Sequence, residues 1–422
     1  MDEEVRKLKI VQVIDIFENA SNGAAISTER FTELLRKNGH TVWVASTGKI
    51  DHHKIPLKEF YPPGAYLKGI MQRMKFVFAL PDIKALTAII AKCDIVHNQL
   101  PFYLGYWTVR IARKLKKPVI STFHVQGEQL TQNAGLKNPL WTKFIYKIFL
   151  HFIYNRSDLV ICPSTFAETE IKKYGLKKPT VVISNGVPSQ YKPIAYPKRY
   201  PDKFTLLTVG RNAVEKRQEM IIDAIAASPY KDNIQLIILG DGPQRARLLS
   251  LSQKILSVPT EFNLLPADKI IEYYNSTDLY IHAAAVEVEC MTAIEAMACG
   301  LPLLIADSPL SATKQFALND KFLFTTTEEL TAKINYWYTH QFELNESRKQ
   351  YLNLSKNYST EKSYQKLEEV YYNILGIQQY TSIKKEQAEI KSKFRSKMLW
   401  KKKTQLLLPE PSTSKILLSG HR

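Results

Sequence analysis

The sequence predicts an α/β protein with two doubly wound, mostly parallel sheets, and three observations carry that expectation. Short apolar runs alternate with amphipathic helical stretches along most of the chain. The alternation stops in a proline- and lysine-rich segment near residues 187–203 and then restarts, as at a boundary between domains. A chain of 422 residues also accommodates two domains at roughly 100–200 residues each.

The elements follow in order. KIVQVIDIF reads as a buried strand and precedes a helix over about 25–38, which Gly39 ends. Strands TVWVAST and DIVHNQ come next, then a helix near 106–116, the strand PVISTFH, a long helix near 140–154 and the strand DLVICPS. After the linker, FTLLTVGR, IQLIILGDGP, LYIHAAA and LPLLIAD repeat the pattern, and a helix near 359–375 closes it. Residues 383–403 hold nine Lys/Arg and two Glu, with Phe394, Leu399 and Trp400 interleaved.

Composition narrows the function. Hydrophobic residues make up 45% and charged ones 23%, which excludes a globally disordered chain. The 58 Lys+Arg against 40 Asp+Glu give +18, so polyanions are the expected partners: nucleic acid, anionic lipid or phosphorylated substrates. Cys93, Cys162, Cys290 and Cys299 form no CxxC or Cys/His ligand spacing, and reduced cytoplasmic thiols are the expectation. The opening MDEEVRKLKIVQVIDIF reads as a strand and not a signal peptide. No uncharged run reaches the roughly 18 residues of a membrane span, so membrane contact is expected to be peripheral.

The stretch EVECMTAIEAMACGLP, residues 287–302, carries the most chemistry. LYIHAAA is a strand and MTAIEAMACG a helix, with Gly300 as its stop and Pro302 beyond. The first free N–H groups of this helix, near Cys290, Met291 and Thr292, face the carboxyl end of the sheet, where a phosphate binds well. Glu287 stands before the helix and Glu295 inside it. Glu287 and Glu289 form an acid-x-acid pair that suggests a divalent ion, but no second cluster of oxygen donors accompanies it. No metal is expected, and Glu289 reads as a bystander.

The pattern E-x7-E followed by AMACGLP resembles the family 4 retaining glycosyltransferases of GT-B fold, over nearly the whole chain up to about residue 375. GRNAVEKRQ resembles the family's Gly-Arg-x(4)-Lys segment, which implies that Arg211 and Lys216 contact the donor diphosphate. ILGDGP, with Gly240 and Gly242, resembles a turn beside the nucleotide, and SNGV, residues 184–187, the closing motif of the first domain. Asn22-Gly23 resembles the glycine loop that approaches the donor phosphate, and His124 of STFH a histidine pointing into the cleft. DIVHNQLPFYLG, with His97 and Phe102 as acceptor-side candidates, looks like diacylglycerol glucosyltransferases; Ser27 and Thr292 agree. Relatives usually have glycine where Cys290 stands.

The resemblance implies two Rossmann-like domains facing a cleft. An acceptor domain spans 1–187, a donor domain 188–360, a crossing helix 361–377 and a basic tail 378–422. It implies transfer of a hexose from a nucleotide sugar, expected to be UDP-linked, without cofactor or metal. His124 and Glu287 would orient the sugar, Glu295 the ribose, and Gly240, Met291 and Thr292 would line the donor site. The expected acceptor is a membrane lipid such as diacylglycerol, with a lipid-linked or surface glycan as the alternative and a cytoplasmic location at the inner membrane face. A nucleic-acid-binding protein is the alternative of another class, disfavoured because the informative cations follow sugar-nucleotide spacing. Three segments are weighed for contact with an anionic bilayer, the basic tail over 383–403 and two helical runs. The run 66–80 mixes Lys68, Arg73 and Lys75 with Met71, Met74, Phe76 and Phe78 and is favoured; LWTKFIYKIFLHFIY is read as a core helix with one wet face.

Overall fold

Seven strands, all parallel, make the first sheet: Lys9–Ile16 (β1), Thr41–Thr47 (β2), Lys54–Pro56 (β3), Ile95–Asn98 (β4), Val119–Thr122 (β5), Leu159–Cys162 (β6) and Thr180–Val182 (β7). Six more form a second parallel sheet: Phe204–Val209 (β8), Ile234–Leu239 (β9), Glu261–Asn263 (β10), Leu279–His282 (β11), Leu303–Ala306 (β12) and Leu323–Phe324 (β13). This computed structural model describes residues 6–17, 22–48, 53–136 and 138–377, and Arg6–Leu375 is one compact unit.

Spatial order is β3-β2-β1-β4-β5-β6-β7 in the first sheet and β10-β9-β8-β11-β12-β13 in the second. Both are doubly wound, so the expected architecture holds. In each, the chain leaves the central strand in one direction and returns on its other side, which opens a crevice at the carboxyl ends of β1/β4 and of β8/β11. The central strands are near-continuous apolar runs buried on both faces, as parallel sheets under helices require.

Seven helices position the site. They are Gly23–Lys37 (α1), Tyr103–Lys114 (α2), Gly127–Asn133 (α3), Pro139–Phe152 (α4), Gln218–Ala226 (α5), Met291–Ala298 (α6) and Thr360–Ile374 (α7). Asn22 caps α1 by accepting from the backbone N–H of Ala24 and Ala25, and Asn138 caps α4 ahead of Pro139 at its first turn, both favoured signals. Helix α7 follows the second sheet yet packs on the first. His40 Nε2 meets Glu368 Oε1 at 3.0 Å, and the Tyr372 hydroxyl donates to Arg6 O at 2.6 Å.

Two expectations are corrected, the bilayer face of 66–80 and the wet face of the helix near 140–154. In the run 66–80, Met71 is buried, Phe76 and Phe78 pack edge-on against Phe102 at 5.6 and 5.0 Å, and Lys75 pairs with Asp241 at 2.6 Å. Aromatic packing and the ion pair hold this segment in the fold. Helix α4, read as a core helix, buries Thr142, Tyr146, Phe149 and Leu150 but leaves Leu140, Trp141, Phe144, Ile148 and Phe152 exposed. Its apolar residues cover most of the circumference, and one domain can cover only one side. The basic tail lies outside the described residues.

Candidate functional site

The second crevice assembles from three turns. After β8 the chain passes Gly210 and Arg211 into a short 3₁₀ turn, Val214–Lys216. After β9 come Gly240 and Gly242, at φ +143° and +154°. A Cβ on Gly240 would lie 2.0 Å from Gly210 O, and one on Gly242 2.5 Å from Asn212 O. Both glycines are therefore required by the close approach of the first two turns. After β11 the chain runs through Glu287 and Cys290 into α6.

The 3₁₀ turn is clamped to the β11–α6 loop. Ala285 N–H donates to Glu215 O at 2.8 Å, and Arg217, itself in the left-handed region at φ +49°, donates from Nε to Ala283 O at 2.7 Å. This clamp brings Lys216 Nζ onto Glu287 Oε1 in a direct ion pair. His282 Nε2 stands 3.4 Å from the same carboxylate oxygen. Burial alone would raise the Glu287 pKa, but Lys216 and His282 bring it down to about 2. Burial would lower that of His282, yet Cys290 and Glu287 lift it to about 9. A buried carboxylate is thus held charged between two cations.

Helix α6 begins at Cys290, whose φ of +94° puts a non-glycine residue in the left-handed region. Its Sγ lies 3.5 Å from His282 Nδ1 and 3.4 Å from Thr292 Oγ1, and the Thr292 hydroxyl is 2.8 Å from the Tyr280 hydroxyl. No side chain caps α6, so its first N–H groups remain for an anion. Arg211, at the neighbouring turn, meets Glu215 at 3.0 Å and leaves its buried Nε without a partner. Two cations and a bare helix start form an anion cradle. His282, Glu287 and Cys290 also place one ligand atom each within 4.8 Å of one another, a donor set that could hold a soft divalent ion.

The first domain meets this cradle across a cleft. A Cβ on Gly23, at the start of α1, would touch Met291 Sδ at 3.7 Å, so the expected loop faces the start of α6. Arg30 of α1 pairs with Glu295 Oε1 at 3.0 Å, and the Tyr274 hydroxyl donates to Oε2 at 3.3 Å. Glu295 therefore lies in the second turn of α6, buried, with its carboxylate engaged between domains. Glu289 is no bystander. It is 1% exposed, and Oε2 accepts from Asn185 N at 2.9 Å and Nδ2 at 2.7 Å. Asn185 Oδ1 in turn accepts from the Ser27 hydroxyl at 2.7 Å. Burial raises Glu289 to about 7.

On the first domain's edge, His124 Nε2 meets Gln99 Oε1 at 3.1 Å, and burial lowers its pKa to about 4. Gln99 Nε2 donates to Gln12 Oε1 at 2.6 Å, and Gln12 Nε2 is 3.4 Å from the Tyr371 hydroxyl of α7. His97 is 3% exposed, with Nδ1 2.7 Å from that hydroxyl and Nε2 2.7 Å from Thr122 Oγ1. Both ring nitrogens are taken, so His97 fastens the crossing helix instead of facing an acceptor. Phe102 likewise sits in the aromatic cluster with Phe76, Phe78 and Phe149.

Sequence reasoning missed His282, Arg30, Tyr274 and Tyr371. The strand-end rule that selected His124 applies equally to His282, the last residue of β11. Nothing in the local sequence singles out Arg30 or the two tyrosines, whose partners are more than twenty residues away or in the other domain.

This fold and cradle define a sugar-nucleotide glycosyltransferase of GT-B architecture. The Glycosyltransferase Family 4 model matches residues 21–191 and the Glycosyl transferases group 1 model residues 194–357. The chain belongs to the family 4 glycosyltransferases and is a hexosyltransferase. Among its relatives, the alpha-monoglucosyldiacylglycerol synthase of Streptococcus pneumoniae is 27% identical over 329 residues, covering 72% of each chain. A GDP-mannose-dependent alpha-mannosyltransferase of Mycolicibacterium smegmatis is 25% identical, covering 71% of this chain and 80% of its own. The structure of Anabaena HepE in complex with UDP-glucose superposes with a TM-score of 0.68 at 17% identity, over 86% of this chain and 99% of HepE.

Proposed function

We propose that the protein moves a hexose from a UDP-sugar to a membrane lipid such as diacylglycerol, with retention of configuration. The observation that carries this reading is the Lys216–Glu287–His282 constellation at the β8/β11 switch point, beside the uncapped start of α6. A nucleoside diphosphate leaving group develops negative charge, and fixed cations stabilise it as the glycosidic bond breaks. Arg211, Lys216 and the N–H groups of Met291 and Thr292 take that role. Glu287, kept ionised, accepts hydrogen bonds from sugar hydroxyls, and the donor's phosphate oxygen takes the acceptor proton. Lys216 supplies the charge that a divalent ion would otherwise bring, so no metal is required.

The acceptor enters from the first domain. An open pocket of about 300 Å³ lies there at the end of β1, lined by Ile16, Glu59, Tyr61, Gln72, Lys75, Phe76 and Val77. Its mixed polar and aromatic lining suits a lipid headgroup with part of its glycerol. The alpha-monoglucosyldiacylglycerol synthase of S. pneumoniae supports the lipid; the mannosyltransferase relative keeps GDP-mannose as the competing donor. The test is purified enzyme with radiolabelled UDP-glucose or GDP-mannose and vesicles containing diacylglycerol or a polyprenyl-linked glycan. Labelled glucolipid is expected. Product on the polyprenyl glycan alone would overturn the acceptor, and product from GDP-mannose alone the donor.

A further inference from the structure

We propose that the outer face of α4 is a docking surface for an anionic lipid bilayer. Leu140, Phe144, Ile148 and Phe152 stand four residues apart, in one stripe along the helix, with Trp141 beside Leu140. All five side chains are between 37% and 65% exposed. A contiguous apolar stripe of this kind on a folded surface marks a place where something binds.

The neighbouring row says what binds. Lys143, Lys147 and His151 repeat at the same spacing and are exposed, neither lysine forms an ion pair among the described residues, and 139–152 contains no Asp or Glu. An apolar row flanked by a cationic row matches acyl chains beneath anionic headgroups. Against a second copy of this chain, the same lysines would face each other and repel. The face continues onto α2, where Tyr106 packs on Phe152 with ring centroids 5.5 Å apart and Arg110 lies over Trp107 at 5.7 Å. On its inner side α4 grips α3, through Tyr146 to Glu128 at 3.0 Å and Thr142 to Thr131 at 3.2 Å. Helix α3 follows His124 by only two residues and packs against the Val214–Lys216 turn. A bilayer on α4 therefore lies one helix away from the cleft.

The inference deepens the lipid-acceptor reading, which gives docking its purpose, while docking itself rests on the exposed face of α4. Its test uses the full chain in co-sedimentation with phosphatidylcholine vesicles, with and without phosphatidylglycerol. The wild type is expected to bind the phosphatidylglycerol-containing vesicles preferentially. Phe144→Asp with Ile148→Asp, and separately Lys143→Glu with Lys147→Glu, should each weaken binding about tenfold or more. Phe342→Asp, at an apolar position 82% exposed on the second domain, should not. Thermal stabilisation by whichever of UDP and GDP stabilises the wild type must survive in every variant, which shows that the fold and donor site are intact. Unchanged binding in both double variants overturns the proposal, as does equal binding to the two vesicle types. So does a self-associating wild type that the Phe144→Asp pair makes monomeric while vesicle binding persists. Vesicle binding through α4 with no transfer to any lipid would leave docking standing and sink the lipid acceptor.

Discussion

In the proposed reaction, transfer depends most directly on Glu287 and Lys216. Replacing Lys216 with Met removes a fixed cation from the leaving group and should lower the initial transfer rate about 10²–10³-fold, with the fold retained by circular dichroism. Glu287 was singled out through its E-x7-E spacing to Glu295 and the flanking strand and helix, and it lies between Lys216 and His282, whereas Glu289, two positions on, was misread. Its role depends on Asn185, more than one hundred residues earlier, and no local pattern encodes that partner. Asp15 shows the same blindness. It is 1% exposed and accepts from the Ala79 N–H at 3.1 Å, and burial raises its pKa to about 7. Because the folded pKa lies above the unfolded one, the folded state binds the extra proton and stability falls as pH climbs from the ordinary carboxylate range through about 7. Asp15→Asn should remove that loss, gaining on the order of 2–4 kcal/mol on the wild type between about pH 4 and pH 8 in urea titrations. Glu289 acts in the same direction.

Among the elements, the inner strands were legible because buried parallel strands write themselves as unbroken apolar runs, whereas the edge strands β3, β7, β10 and β13, two or three residues each, leave no such run. Helix faces were less so. The residues of α4 are apolar nearly all round, and only tertiary contacts decide which side the domain covers. Helix α7 shows the opposite case, since its place on the first sheet rests on a few buried polar contacts. Tyr371→Phe strips the hydroxyl that His97 and Gln12 share, leaving two buried polar groups unpaired at about 1–3 kcal/mol. Urea unfolding should report that loss, and hydrogen exchange should locate it in 360–374. At the start of α6, Cys290→Gly relieves a left-handed backbone that costs a side-chain-bearing residue roughly 1–2 kcal/mol. A melting temperature raised by a few degrees is the expected outcome; a fall would mean that the Sγ contacts with His282 and Thr292 outweigh the backbone.

At the scale of the whole molecule, the two sheets are bolted together at Arg30–Glu295, Lys75–Asp241 and Ser27–Asn185–Glu289. A buried pair broken on one side leaves an uncompensated charge, so Arg30→Ala and Glu295→Gln should each loosen the contact between the two sheets. A double-mutant cycle on donor affinity should return a coupling of about 1–3 kcal/mol; additive effects would show that the pair does not link this contact to the donor. None of these bolts was visible in sequence, because each joins positions that only the facing of two domains brings together.

The contacts running from His124 to Thr122 have a direction. Tyr371 has a single proton, and with Gln12 Nε2 approaching as donor it must give that proton to His97 Nδ1, which leaves His97 Nε2 to donate to Thr122. Followed the other way, Gln99 spends its amide on Gln12 and turns its carbonyl to His124, so His124 carries its hydrogen on Nε2 and keeps the lone pair on Nδ1. The tautomer of His124 is thereby written by a helix some 250 positions downstream, and nitrogen NMR of His124 in wild type and Tyr371→Phe would read it.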